Sequence, residues 1–284
     1  MINLNYPMKR RRHNNISINL ELILFLVVFE ILDLASKNEI DCLDTADAYG
    51  SSIPVIAKYH YSRGTRFKIL SKFSYVKKGG LKQIAEKSLS SLGIEQFEVF
   101  SFHSFNDFLT KRYLINELLE LKSIGRIKST GISVYTNDEL EKAIEDESID
   151  VVQLPYNILD NSNHRGALIN RAKDKGKTVH VRSVFLQGLF FMNYNSFPEK
   201  LIPLKANLKK INDFCTNDSL SLQSLALSYA LYNKNIDNVL IGVDNCSQLK
   251  SNLGSVKDNQ KCFDYIDKNV FVKEIDLLNP VNWK

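Results

Sequence analysis

A chain of 284 residues with 44% hydrophobic and 24% charged residues has ordinary globular usage, and its length suits either two small domains or one large α/β barrel. The net charge of +5 is too mild for a dedicated nucleic-acid binder and favours an anionic ligand only weakly, and no Lys/Arg stripe alternates with aromatics. Cys42, Cys215, Cys246 and Cys262 are scattered without a CxxC pair, which argues against a zinc site or disulfide framework and fits a reducing cytoplasm.

At the N-terminus, Lys9 to Arg12 precede an apolar run from Leu20 to Leu32. The pattern imitates a secretory signal. Glu21 and Glu30 interrupt it, however, and no clear small-residue cleavage site follows. The run is also shorter than the roughly 20 apolar residues a membrane-spanning helix needs. Phe29–Lys37 reads as a first helix, with Ile31, Leu32, Leu34 and Ala35 available for packing. A strand before it would have to come from Ile16–Val28, although no glycine occurs before Gly50 to make a turn. The alternative is one long apolar helix over Leu20–Ser36, leaving seven strands and an open edge.

Seven short β-rich runs follow: Ile40–Leu43, Phe67–Leu70, Phe97–Phe102, Thr130–Val134, Val151–Leu154, Thr178–Val184 and Val239–Val243. Helical patterns lie between them. Leu81, Ile84, Ala85, Leu89 and Leu92 share one face, as do Leu114, Leu118, Leu121 and Ile124. Gly93 and Gly125 stand where helices should end, because glycine tolerates the left-handed cap conformation. Alternating strands and helices predict parallel pairing through crossovers. No Pro/Gly/Ser linker divides the series. The expected fold is an α/β (β/α)8 TIM barrel, incomplete at the first strand, with an atypical N-terminal segment over 1–28 and a barrel domain over 29–284. An open dinucleotide-binding sheet would carry a Gly-rich loop after its first strand, and none is present. Polar residues recur at the C-terminal ends of the strand candidates: Asp44, Lys72, His103, Ser133, Gln153 and Arg182. In a barrel these ends share the face on which active sites are built.

The segment Asp44-Thr45-Ala46-Asp47-Ala48-Tyr49-Gly50 resembles the DTAxxYG signature of aldo-keto reductases. Ile69–Phe73 is similar to the family's lysine strand. Ser88-Leu89 and Leu92-Gly93, leading into Phe97–His103, resemble the helix and strand that deliver its histidine. Gly125–Ser133, Val152–Asn157 and Arg182–Leu189 resemble later motifs, the last in a bacterial branch. The resemblance runs from about residue 30 to the C-terminus.

It implies a nicotinamide-dependent reduction of an aldehyde or ketone, with a small-molecule carbonyl substrate and neither nucleic acid nor membrane as partner. Hydride transfer builds negative charge on the carbonyl oxygen, which a proton donor or oriented dipoles must meet. A tyrosine hydroxyl can donate that proton, and a nearby ammonium favours the phenolate it leaves. A carboxylate holds the ammonium charged and in place. The resemblance gives these roles to Tyr49, Lys72 and Asp44, and substrate orientation to His103.

For the cofactor, NADP or NAD, the resemblance points to Ser133 and Gln153 at the nicotinamide carboxamide. Val134 stands where an asparagine is usual, and Arg182 where an aromatic commonly stacks; Ser183 follows in the same loop. Ile241–Asn245 with Gln248 and Asn252 matches the adenine end. Gly242 and Gln248 replace cations that grip the extra phosphate of NADP in many relatives. The long segment Leu189–Pro203 is read either as a cover over the site or as a surface loop. The resemblance suggests a sugar-like metabolite as substrate. The alternatives are a nicotinamide-binding barrel without catalysis, acting as sensor or partner subunit, and a degraded family member.

Overall fold

A computed structural model describes residues 20–76, 80–193, 197–256 and 260–283. The basic run Lys9 to Arg12 and residues 16–19 lie outside the described residues, as does 194–196. The first described element is a helix, α1, Leu20–Lys37. Of the two readings of the segment before residue 40, the long helix is the one found: from Leu20 onward the chain is helical, and residues 20–28 form no strand. Leu and Glu are good helix formers, and no glycine or proline interrupts the run, so the helix extends back from Phe29. No helix among the described residues is long and apolar enough to cross a membrane.

Seven strands follow: β1 Cys42–Asp44, β2 Lys68–Phe73, β3 Phe97–Phe102, β4 Ile127–Ser133, β5 Val151–Pro155, β6 Thr178–Arg182 and β7 Asn238–Val239. They form one sheet in chain order, and the registered pairs are parallel. Between and after them lie α2 Ser52–Arg63, α3 Leu81–Leu92, α4 Phe105–Thr110, α5 Ile115–Ser123, α6 Asn137–Glu145, α7 Ser162–Asp174, α8 Lys205–Asn217, α9 Leu222–Leu231, α10 Cys246–Ser255 and α11 Gln260–Asn269. The fold is of the (β/α)8-barrel type, with seven strands rather than eight among the described residues.

The last strand is shorter than the apolar run Val239–Val243 suggests. Leu240 N–H donates to Val181 O, and pairing stops there. Its partner strand ends at Arg182, and Ser183 turns the chain with φ +63°. Ile124 is also corrected. It follows the last turn of α5 and is exposed rather than packed, whereas Leu114, Leu118 and Leu121 are buried. Gly93 and Gly125 do adopt left-handed φ of 64° and 75° behind α3 and α5. The stretch expected as a cover or surface loop forms two 3-10 turns, Leu186–Phe191 and Glu199–Leu204, anchored by buried Leu189, Phe190, Phe197 and Leu201.

Contacts group the chain into two compact units. The first comprises Met1–His103, Leu109–Thr130 and Gly242–Lys250. Its strands are buried on both faces, as parallel strands covered by helices must be. Phe73 lies 4.8 Å from both Phe100 and Phe102. Helix α1 packs on α2 through Phe29 and Tyr59, whose ring centroids are 5.2 Å apart, while Tyr59 donates to Asp33 Oδ1 at 2.8 Å. The second unit comprises Ser104–Phe108, Gly131–Ile241 and Ser251–Lys284. Val152, Leu154, Val179 and Val181 form its apolar strand core. Tyr156, Ser162 and Tyr229 share hydroxyl bonds of 2.8 and 2.9 Å, and Tyr229 donates to Asp267, tying α7, α9 and α11 together.

His60 couples helix to sheet in the first unit. It is fully buried, with Nδ1 2.8 Å from Leu92 O, and its Nε2 accepts from Phe67 N–H at 3.2 Å. These partners fix the neutral ring with its proton on Nδ1. Burial first, and the charge of Arg66 in addition, lower its pKa, against an opposing contribution from the Leu92 carbonyl. A base whose folded pKa is depressed contributes stability that is fully present above its unfolded value of about 6.5 and is lost as pH falls below it. The parent should therefore lose more thermal stability than His60→Gln between about pH 7.5 and about pH 5.5, measured by thermal melts. Parallel losses in the two proteins would contradict this assignment.

Candidate active site

The first unit brings four of the expected residues together. Asp44 ends β1, and Leu70, its register partner on β2, lies two residues before Lys72. Lys72 Nζ donates to both Asp44 oxygens, at 2.5 and 2.6 Å. The side chains are 3% and 0% exposed, so the pair is out of water. Backbone pairing continues past β1, with Thr45 N–H donating to Leu70 O at 2.8 Å and Asp47 N–H to Lys72 O at 3.0 Å. This carries the chain over the end of β2 and turns it through Gly50, with φ +55°, into α2.

Tyr49 sits in that turn, half-buried. Lys72 Nζ lies 5.5 Å from the centre of its ring. His103 meets the same ring edge-on at 5.6 Å, and its backbone N–H donates to Phe73 O at 3.2 Å, which fixes the residue beside the end of β2. The arrangement joins an aromatic hydroxyl, a buried ammonium neutralised by a carboxylate, and an imidazole.

Asp47 went unnoticed as a working residue in the sequence. Its carboxylate accepts from Ser74 Oγ at 2.8 Å and Ser74 N–H at 2.9 Å, clamping the segment after Lys72 to the turn that carries Tyr49. Lys111 donates to Ser74 O from the other side. The only available signal was a second aspartate within the motif around Tyr49.

In the second unit, Ser133 and Gln153 are register partners on β4 and β5 and are both buried. Val134 is fully buried, so an apolar side chain fills the position where the resemblance led one to look for an amide. Arg182, also buried, lies with Cζ 4.2 Å from the centre of the Tyr135 ring, and its Nη2 donates to Val134 O at 3.2 Å. Ser183 holds its left-handed conformation with its carbonyl accepting from Asn157 Nδ2 at 3.1 Å. Asn252 is buried and accepts from Gln223 Nε2 at 2.6 Å.

The segment after β7 belongs to the first unit from Gly242 to Lys250. Asn245 caps α10 by accepting from Gln248 N–H at 2.9 Å. Gln248 Oε1 accepts from Asp244 N–H at 2.7 Å, and Gln248 Nε2 reaches Asp244 Oδ2 at 3.4 Å. Gln248 is thus bound within its own loop, and the charge beside it is negative.

The profile of the aldo/keto reductase family matches residues 27–269. The chain belongs to the aldo/keto reductase family. Among its relatives is an NADH-specific methylglyoxal reductase of Escherichia coli K12, 24% identical over 196 residues, covering 63% of this chain and 60% of that protein. An aldo-keto reductase of Strobilurus tenacellus is 26% identical over 215 residues, covering 65% and 64%. The match spans less than two thirds of the length of either relative. Solved aldo-keto reductases share the fold: one from Bacillus halodurans in holo form has a TM-score of 0.66 at 21% identity, covering 84% of this chain and 86% of that one. A glycerol dehydrogenase from Gluconobacter oxydans has a TM-score of 0.68 at 16% identity, covering 90% and 88%.

Within this family member, the Lys72–Asp44 pair is also a point of fragility. Removing one charge strands the other in a dry site, which typically costs about 3–5 kcal/mol. Asp44→Asn should lower unfolding stability by that order, measured in urea. Parental stability would show that Lys72 finds another way to neutralise its charge.

Proposed function

We propose that the protein is a nicotinamide-dependent reductase of small aldehydes or ketones, with 29–284 as its reductase domain. The observation that carries this reading is the grouping of Tyr49, Lys72, Asp44 and His103 at the ends of β1, β2 and β3. A bound nicotinamide dinucleotide supplies the hydride. The residues of the chain do the rest. His103 orients the carbonyl oxygen by hydrogen bonding. Tyr49 donates its hydroxyl proton to that oxygen as the negative charge develops, so carbonyl, hydride and proton make the alcohol. Lys72 stabilises the phenolate left behind, and Asp44 keeps Lys72 charged and aimed.

The residues present fit such a cofactor. Ser133 and Gln153 are neighbouring polar groups with the donors and acceptors a carboxamide needs. Arg182 provides a planar surface beside them, and Ser183 a further hydroxyl. Gly242 and Asn252 are the residues that the resemblance assigns to the adenine end. Gly242 and Gln248 carry no charge where many relatives place cations, and Asp244 beside Gln248 is anionic. That environment supports binding of either NAD or NADP, without a strong preference for the additional phosphate. The helix behind Asn245 still presents backbone N–H groups to phosphate. The substrate proposed is a small, sugar-like carbonyl compound. Two relatives point the same way: the methylglyoxal reductase, and an L-glyceraldehyde 3-phosphate reductase of Escherichia coli O157:H7 that is 23% identical over 197 residues.

Two experiments test this reading. General acid catalysis is typically worth about 10²–10⁴-fold. Tyr49→Phe should therefore bind NADH as the parent does but reduce methylglyoxal or glyceraldehyde at least about a hundredfold more slowly. An unchanged rate would remove Tyr49 from the mechanism. In fluorescence titrations NADPH should not bind more than about a hundredfold tighter than NADH, because contacts to the extra phosphate are charge-assisted ones worth about 1.5–3 kcal/mol each. A larger preference would mean that cations elsewhere hold the phosphate.

A further inference from the structure

The ends of β4, β5 and β6 are joined by a closed circuit of polar contacts that centres on a buried cation. Arg165, on α7, is 4% exposed, and Asp160 is fully buried. Arg165 Nε and Nη2 donate to the two Asp160 oxygens at 2.7 and 2.8 Å. Its remaining reach goes to the β4–α6 connection: Nη1 donates to Asn137 Oδ1 at 2.8 Å and Nη2 to Tyr135 O at 2.7 Å. On the other side of the same residue, Tyr135 N–H donates to Glu139 Oε2 at 2.6 Å. Tyr135 is therefore fixed at both of its peptide groups, and its ring lies under the Arg182 guanidinium at 4.2 Å. Through the next residue the circuit closes: Ser183 O accepts from Asn157 Nδ2 at 3.1 Å, and Asn157 Oδ1 accepts from Asp160 N–H at 3.0 Å.

We propose that Arg165, held by Asp160, is a positioning residue: it fixes Tyr135 as a platform that sets the orientation of Arg182, and through Arg182 the binding of the nicotinamide end of the cofactor. The inference rests on the reading of function given above. Neutralising a buried arginine would need Asp160 alone. The two further donors to Asn137 and Tyr135 are what make Arg165 a brace between α7 and the β4–α6 connection. A cation stacked on an aromatic face is attracted by it and is restricted in plane. Arg182 is further tied to Val134 O at 3.2 Å, so tilting the Tyr135 ring also disturbs the residue that follows Ser133.

The test is a set of NADH titrations followed by fluorescence, with a thermal melt of each protein. Tyr135 is half-buried, so Tyr135→Leu should melt close to the parent while binding NADH about tenfold more weakly. Arg165→Lys keeps the charge but not the fork geometry and should weaken NADH by a similar factor. Because both act through Arg182, the double variant should bind within about threefold of either single variant. Parental NADH affinity in Tyr135→Leu would overturn the inference, as would losses that multiply to about a hundredfold in the double variant. If Arg165→Lys fails to fold, Tyr135→Leu decides alone. A parent protein that binds neither NADH nor NADPH would overturn the proposed function and this inference with it, whereas a binding parent with an unaffected Tyr135→Leu overturns the inference only.

Discussion

An ammonium and a carboxylate held 2.5 Å apart out of water, on neighbouring strands, constrain everything around them. Lys72 and Asp44 must meet, so β1 and β2 must pair in the register that brings Asp44 opposite Leu70. Once they do, the backbone continues its pairing through Thr45 and Asp47, and Tyr49 is delivered to the side of the lysine. Asp47 then fastens the segment after Lys72, and His103 is fastened to Phe73. Burial of such a pair contributes little to stability by itself, because desolvating both charges offsets most of their attraction. On the proposed function its role is chemical: it keeps Lys72 charged beside Tyr49.

The second unit uses the same device for a different end. Asp160 and Arg165 are also a buried, doubly bonded pair, and they brace the loops around Arg182. In each unit a buried cation is held by a carboxylate through two hydrogen bonds. Parallel strands make this economical. All their C-terminal ends lie on one side of the sheet, so neighbouring loops are within side-chain reach.

Much of this was legible in the sequence. The strands around Asp44, Lys72, His103, Ser133 and Gln153 are short apolar runs that end in a polar residue, and their type follows from that pattern. Gly93 and Gly125 marked helix ends because only a left-handed residue suits those turns. The start of the chain left two readings open. Apolar residues before a helix can make a buried strand, but without a turn residue the helix simply extends back to Leu20. The Arg165 circuit was not legible, because it joins residues up to 48 positions apart through loops with no periodicity. Asp47 escaped for a similar reason: its partner, Ser74, lies 27 residues away in a connection. Ile124 looked apolar and in phase, yet it falls one step beyond the last turn of its helix.

If the Lys72–Asp44 pair is retained for proton transfer, replacing both charges with apolar side chains of similar size should separate stability from activity. Buried ion pairs replaced in this way often leave a protein as stable as before or more so. The decisive measurement compares the parent with the double variant Asp44→Leu/Lys72→Met, in urea unfolding and in the NADH-dependent reduction of methylglyoxal or glyceraldehyde. The account predicts unfolding stability at or near the parental value, retained NADH binding, and turnover reduced by at least about a hundredfold. A stable double variant that reduces the aldehyde at the parental rate would contradict it.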